Sequence, residues 1–586
     1  MTMSKLHISL IFLLVSVCFS SASFAGNEME YTNPILAGFY PDPSICRVGD
    51  DYYLVNSTFA YFPGIPVFHS RDLVNWKLIG YVIDRPDQLN YDSLGVSRGI
   101  FAPAIRYHNG TFYVTCTFVD GGGNFVCTAK NPAGPWSKPV WLPPVSGIDP
   151  SLFFDNDGKA YIVYNSVAPD GKPLYQGHRT IRMRGFDTGK LAVLDDEKIL
   201  VNGGTDLNEH PIWIEGPHIF KVHDLYYLIC AQGGTAENHS EVVFRSKDVW
   251  GPYVSYKGNP ILTQRDLNPG RDYPITCTGH ADFVETQNET WWAVFLGCQP
   301  YKPYEKDYYN TGRETFLAPV TWKTSADDTA ARHLDDEHAW PTIIPHGEEV
   351  SYTYPYPLPR DENFTGIPHG GNFEYTDNFD SDSLDLNWEF LRAPHKKWYS
   401  LTEKPGWLAI ELRPETCSGR MNPSFIGRRQ QHEHSTASTL MDFSPRADNE
   451  KAGLVVFQNE THFYYLCKSL EEGHPVIQLY KSTDGTGDGI ELLARKKLSS
   501  TSGDTKVYLK IHADGGSGYS FYYGFAPDKW NLLEGSLDAS FLSTKVAGGF
   551  VGCMYALYAT SLGKPGLNSA FFDWFKYKGM NEAYRK

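Results

Sequence analysis

Asp42-Pro-Ser-Ile45, followed after a short turn by Asp51-Tyr-Tyr-Leu-Val55, decides the reading of the whole chain, because the pattern recurs. It returns as Ala102-Pro-Ala-Ile105 with Thr111-Phe-Tyr-Val114, and as Asp149-Pro-Ser-Leu152 with Lys159-Ala-Tyr-Ile-Val163. It returns again as Glu215-Gly-Pro-His-Ile219 with Leu225-Tyr-Tyr-Leu-Ile229, and as His280-Ala-Asp-Phe-Val284 with Thr290-Trp-Trp-Ala-Val294. Each copy is a hairpin by its turn chemistry: Gly49-Asp50, Asn109-Gly110, Asp157-Gly158, His223-Asp224 and Asn288-Glu289 separate two strand-like runs. The copies lie roughly 45 to 65 residues apart, the scale of a propeller blade. Ser70-Arg-Asp-Leu-Val-Asn-Trp76, Asn131-Pro-Ala-Gly-Pro-Trp136 and Ser246-Lys-Asp-Val-Trp-Gly-Pro-Tyr253 read as matching outer turns. Five repeats imply a five-bladed β-propeller. Its innermost strands surround one axis, so equivalent positions converge there: Asp42, Ala102, Asp149, Glu215 and His280. Three of those five are carboxylic acids.

Outward from the repeats, the chain reads as all-β. Residues 1–25 resemble an export signal, with Lys5 ahead of an apolar run from Ile8 to Phe19 and a small-residue cleavage site ending at Ala25. That run is too short to span a bilayer. The propeller is expected over residues 26–345. Residues 346–371, rich in Pro, Tyr and charge, read as a linker that wraps a surface. Residues 372–586 read as a β-sandwich, with alternating runs at Gly453-Leu-Val-Val-Phe457, Phe463-Tyr-Tyr-Leu466, Thr505–Ile511 and Tyr519–Tyr523.

A net charge of −16 repels nucleic acid and anionic membranes, so neither is expected as a partner, and no later segment is apolar enough to span a membrane. Such a charge does not oppose a neutral sugar. Aromatic residues, 15% of the chain, are plentiful enough to line a binding surface as well as a core. Nine cysteines follow the signal, dispersed and odd in number, and read as buried small apolar residues rather than a disulfide framework. His432-Glu-His434 lacks the spacing of a helical zinc site and reads as surface.

Glycoside hydrolysis needs one carboxyl protonated, to assist the leaving oxygen, and one ionised, to activate water or attack the sugar. A third acid nearby raises the proton affinity of the first by like-charge repulsion. A funnel with acids from three blades meets that need. Taken singly, Asp-Pro at a strand start is often only a turn. Clustered carboxylates with His280 would also suit a calcium site.

Asn33-Pro-Ile-Leu-Ala-Gly-Phe-Tyr-Pro-Asp-Pro-Ser-Ile45, Gly147-Ile-Asp-Pro-Ser-Leu-Phe153 and Ile214-Glu-Gly-Pro-His218 resemble glycoside hydrolase family 43, and within it the two-domain β-xylosidase and α-L-arabinofuranosidase branch. The resemblance extends to Asp377-Asn-Phe-Asp-Ser-Asp-Ser-Leu384 at the sandwich entry. It implies an inverting, exo-acting enzyme with Asp42 as general base, Glu215 as general acid and Asp149 tuning and orienting Glu215. It also implies sugar contacts from Arg313 and Phe59, a pocket wall at Phe101, and His280 beside a channel water or Ca²⁺, with no cofactor required for the chemistry. Xylose-preferring relatives often carry Trp-Ala-Pro-Asp at the second blade, where this chain has Phe101-Ala-Pro-Ala104. That departure favours terminal α-L-arabinofuranose, from arabinoxylan or xyloglucan oligosaccharides, over β-D-xylose. A β-xylosidase and a non-catalytic carbohydrate-binding propeller remain the alternatives. Fructan-active propellers carry Asn-Asp-Pro-Asn-Gly and Arg-Asp-Pro motifs that this chain lacks, and an endo-arabinanase needs a groove open at both ends. The signal implies export, to the periplasm of a Gram-negative source or otherwise to the medium.

Overall fold

The computed structural model describes residues 29–324, 327–331, 339–483, 489–498 and 505–585. The stretch read as an export signal lies outside the described residues. Five antiparallel sheets of four or five strands form the first half of the chain. Each begins with one of the sequence hairpins: Ser44–Val48 with Asp51–Val55, Ala104–His108 with Thr111–Val119, Ile148–Phe154 with Ala160–Val167, Glu215–Val222 with Leu225–Gln232, and Thr276–Glu285 with Trp291–Cys298. The turns behave as their residues demand. Asn109 and Gly110, for instance, hold φ of 48° and 75°, the two successive positive values that suit a tight hairpin of right-twisted strands. The outer turns bury their tryptophans, Trp76 and Trp136.

The ring is closed by the N-terminal segment. Leu36 pairs with Thr315 on the third strand of blade five through reciprocal backbone hydrogen bonds of 3.2 and 3.1 Å. The Tyr31 hydroxyl donates to the Leu317 carbonyl at 2.7 Å on the same strand. Residues after the last blade return to this seam: Thr353–Pro355 pairs with Glu30–Thr32, and Leu358 is buried against it. The stretch read as a linker is thus a tether across the closure.

Two eight-stranded antiparallel sheets make the second half. The expected runs fall in Lys451–Asn459, His462–Glu471, Lys506–Asp514 and Tyr519–Gly524. One strand comes from elsewhere. Tyr61–Phe62, between two strands of the first blade, pairs with Glu389–Leu391 and forms the edge of a sandwich sheet. A single apolar core runs from Phe62, Tyr91 and Phe118 of blades one and two into Phe390, Trp398 and Leu454 of the sandwich. The only α-helix among the described residues is Thr544–Ala547.

The interface also holds a buried ion pair. Arg429 meets Glu389 at 2.9 Å, and its Nε donates to the Phe39 carbonyl at 2.7 Å while the guanidinium lies over the Phe39 and Tyr40 rings. His432, read as surface, is instead fully buried at this seam, bonded to the Tyr577 hydroxyl and the Gly371 carbonyl at 2.8 Å each. It lies in the connection between Ser424–Arg429 and His434–Asp442, where the stretch around Gly371 and the strand Ser569–Met580 cover it, which strand alternation does not reveal. The nine cysteines are free and buried, as expected.

Candidate active site

In four of the five blades the chain does not run straight from the funnel into the first strand. Asp42, Asp149, Gly216 and His280 take φ of 53°, 56°, 56° and 55°, and the ladder slips register at the last three of these places. Such a bulge re-aims a side chain that a regular strand would point along the sheet face. Left-handed backbone at a non-glycine residue costs of the order of 1–3 kcal/mol and persists where the surroundings over-determine it. Here its product is the convergence of four repeat-matched positions on one axis.

There a cavity of about 190 Å³ opens. All seven residues singled out from sequence line it: Asp42, Asp149, Glu215, His280, Arg313, Phe59 and Phe101. The structure adds Arg98, Trp213 and, from the sandwich, Phe550. Phe550 stacks on Phe59 with centroids 5.9 Å apart and planes 20° apart, and Phe101 meets both rings edge-on at 5.5 and 5.7 Å. Each such pair contributes about 0.5–1.5 kcal/mol beyond its buried area. The Arg313 guanidinium lies 5.6 Å from the Phe550 ring centre.

The three acids are all buried, yet they differ in proton affinity. Burial alone would raise Asp42. Against that, Arg313 donates at 2.8 Å, the His280 ring stands 3.9 Å away, and the Ser57 hydroxyl donates at 2.6 Å. Together they hold Asp42 below the usual carboxylate range. Asp149 is pushed up to about 6 by burial and the Asp42 charge, against the pull of His280 and of the Gly216 N–H, which donates at 3.1 Å. Glu215 is raised furthest, by burial and then by the charges of Asp149 and Asp42, and among the described residues no protein hydrogen bond reaches its carboxyl. Desolvation disfavours a carboxylate unless donors compensate, and only Asp42 has them in quantity. One cavity therefore sets a carboxyl of lowered proton affinity beside one of raised proton affinity.

The model for glycosyl hydrolases family 43 matches residues 31–329, and that for the β-xylosidase C-terminal concanavalin A-like domain matches residues 376–578. The chain belongs to glycosyl hydrolase family 43. It is 37% identical over 583 residues to a non-reducing end α-L-arabinofuranosidase of Bacteroides ovatus, covering 99% of this chain and 100% of the relative. It is 38% identical to a xylosidase/arabinosidase of Butyrivibrio fibrisolvens, over 93% of this chain and 98% of that protein. A solved structure described as Bacteroides ovatus xyloglucan PUL GH43B superposes with a TM-score of 0.80 at 38% identity, over 94% of this chain and all of that one. The protein is accordingly a two-domain family 43 glycosidase that acts on an oligosaccharide. No helix among its described residues is long and apolar enough to cross a membrane.

Beneath the acids of this family 43 chain lies a second polar ring that sequence reading missed. Asp282 accepts from Ser44 at 2.7 Å and from Arg106 at 2.8 and 3.1 Å. The His218 ring contacts both Arg106 and the Ser151 hydroxyl at 2.8 Å. Ser44, Ser151, His218 and Asp282 follow the funnel residues at equivalent repeat positions. Blade two has Ala104 there and sends in Arg106 from two residues further along the strand. That offset was a usable signal. The ring joins all five blades by hydrogen bonds across the axis. It also bears on calcium, which takes about six to eight oxygen ligands. Asp282 already has its cation in Arg106, Asp42 has Arg313, and no group of three or more His, Cys, Asp or Glu among the described residues is disposed to hold a metal. These residues do not fit a calcium ion ligated directly beside His280.

Proposed function

We propose that this enzyme releases terminal α-L-arabinofuranose from the non-reducing ends of hemicellulose oligosaccharides, of arabinoxylan or xyloglucan type, by one inverting displacement. The observation that carries the reading is the opposed proton affinity of Asp42 and Glu215 across one small cavity. Asp42, ionised and fixed by Arg313 and Ser57, takes a proton from water as the water attacks the anomeric carbon. Glu215, protonated, gives its proton to the departing glycosidic oxygen. Asp149 keeps Glu215 protonated by its charge and aligns the strand through the Gly216 N–H. Arg313 and His280 meet the sugar hydroxyls, and Phe59, Phe101 and Phe550 wall the ring. No step in this scheme uses a cofactor.

A cavity of about 190 Å³ is smaller than the ~300–1,000 Å³ of ordinary ligand pockets and suits a single sugar. With a hydrogen-bonded ring across the axis beneath it, that favours exo action. Phe101-Ala-Pro-Ala104 and the Bacteroides ovatus relative favour arabinofuranose. The mixed activity named for the Butyrivibrio relative keeps β-xylosidase as a second reading. The leader at residues 1–25 supports export, to the periplasm in a Gram-negative cell.

The test is turnover of aryl α-L-arabinofuranoside beside aryl β-D-xyloside, together with a branched arabinoxylo- or xyloglucan oligosaccharide. The reading expects faster release from the arabinoside and only monosaccharide from the oligosaccharide. Xylose alone moves the assignment to β-xylosidase, arabino-oligomers contradict exo action, and no turnover at all leaves a carbohydrate-binding propeller.

A further inference from the structure

A second and much larger hollow, about 850 Å³, lies against the catalytic cavity. Its walls come from the connection between the second and third strands of blade three and from the loop that leads into Glu215. Trp213 lines both spaces. We propose that this hollow binds the leaving group, and that the leaving group is a neutral oligosaccharide chain of two or more sugars. The proposal rests on the assignment of Glu215 as the acid.

Direction is the first argument. A general acid protonates the glycosidic oxygen, so the leaving group must depart on the acid's side of the cavity. Trp213 stands two residues before Glu215 and is 37% exposed. The hollow thus opens where the severed chain must go.

Surface chemistry is the second. Ile212 is 52% exposed and Val167 48% exposed on the lining, with Leu174, at 69%, beside it. Clustered exposed apolar side chains next to a functional site mark a binding surface. The Trp213 indole is braced from one side by the Arg179 guanidinium, 4.4 Å from the ring centre, and Arg179 is itself held by Asn165 Oδ1 at 2.6 and 3.1 Å. The loop is pinned by a Trp213 N–H bond to the Gly177 carbonyl at 2.9 Å. An indole fixed on one face and open to solvent is a platform for the apolar face of a sugar ring.

Charge is the third. Arg179 spends its Nε and one Nη on the Asn165 amide oxygen and its face on the Trp213 ring, and both His178 nitrogens are engaged, by the Leu174 N–H and the Asn202 side chain. Arg179 is the one permanent cation among the lining residues, and its Nε–Nη fork, the side that would grip a uronate in two-point fashion, is already spent on Asn165, which favours a neutral chain.

The experiment compares Trp213→Ala and Ile212→Ser with wild type, by kcat/KM on a branched arabinoxylo-oligosaccharide and on aryl α-L-arabinofuranoside. The ratio of the two should fall at least ten-fold in Trp213→Ala and by a smaller factor in Ile212→Ser. Xylotetraose and cellotetraose, added to Asp42→Asn protein in a calorimeter, should show saturable binding by at least one of them that Trp213→Ala abolishes. Should Trp213→Ala fail to fold, Ile212→Ser carries both measurements. An unchanged ratio, or no tetraose binding, overturns the proposal while turnover of the aryl glycoside by wild type leaves the function standing. Loss of all glycosidase activity in wild type would instead overturn the functional reading.

Discussion

The two walls of the catalytic cavity are equally buried and chemically opposite. On the wall built by blades one and five, Asp42 is met by Arg313, Ser57 and His280, and is held as a carboxylate. On the wall built by blades three and four, Glu215 has the charges of Asp149 and Asp42 near it and no protein donor among the described residues, and its proton affinity is raised. Burial by itself would raise the proton affinity of both. On the proposed assignment, donors rather than depth separate the base from the acid in this funnel.

Replacing the carboxylate that the donors serve should have the largest effect. Asp42→Asn should lower kcat/KM by roughly 10³–10⁴-fold on natural oligosaccharides and aryl glycosides alike, because both need an activated water. Glu215→Gln should cost about 10²–10⁴-fold on natural substrates and distinctly less on an aryl glycoside whose leaving group needs no proton. Equal losses on the two substrates would take the acid role from Glu215. Arg313→Met removes a charged hydrogen bond and should cost about 10–100-fold. It should also raise Asp42, moving the acid limb of the pH–rate profile to higher pH, since activity is lost as pH falls through the base's pKa. Asp149→Asn acts on the other wall. Without that negative charge Glu215 holds its proton less tightly, so the alkaline limb should move to lower pH. A limb that stays in place would separate Asp149 from the tuning of Glu215. Phe550→Ala should have the smallest effect, a rise of roughly three- to ten-fold in KM with kcat little changed.

The same contrast explains what could be read from sequence. Asp42, Asp149, Glu215 and His280 were legible because a repeat fold maps equal positions onto one axis. The polar ring of Ser44, Arg106, Ser151, His218 and Asp282 obeys that rule almost as well, but the substitution of Ala104 by the reach of Arg106 breaks the pattern in blade two. Phe550 obeys no repeat. It arrives from a loop of the sandwich, carried by the Gly549-Phe550 backbone against Ser97, whose hydroxyl accepts from the Phe550 N–H at 2.9 Å. Likewise the pairing of Tyr61–Phe62 with the sandwich depends on which surface of one domain meets the other, and the burial of His432 on how Gly371 and Tyr577 come back over it, and periodicity within a strand carries no record of either. The fold class and the acids were local or repeated facts. The aromatic roof and the brace of Arg429 on Phe39 are facts of assembly.

The account stands most directly on whether water attacks in the same step that Glu215 protonates the leaving oxygen. Proton NMR of the sugar first released from an α-L-arabinofuranoside, recorded before mutarotation, answers this. The account predicts the β anomer as the initial product. Initial release of the α anomer would mean that a carboxylate attacks the sugar itself, and would contradict the assignment of Asp42 as the base.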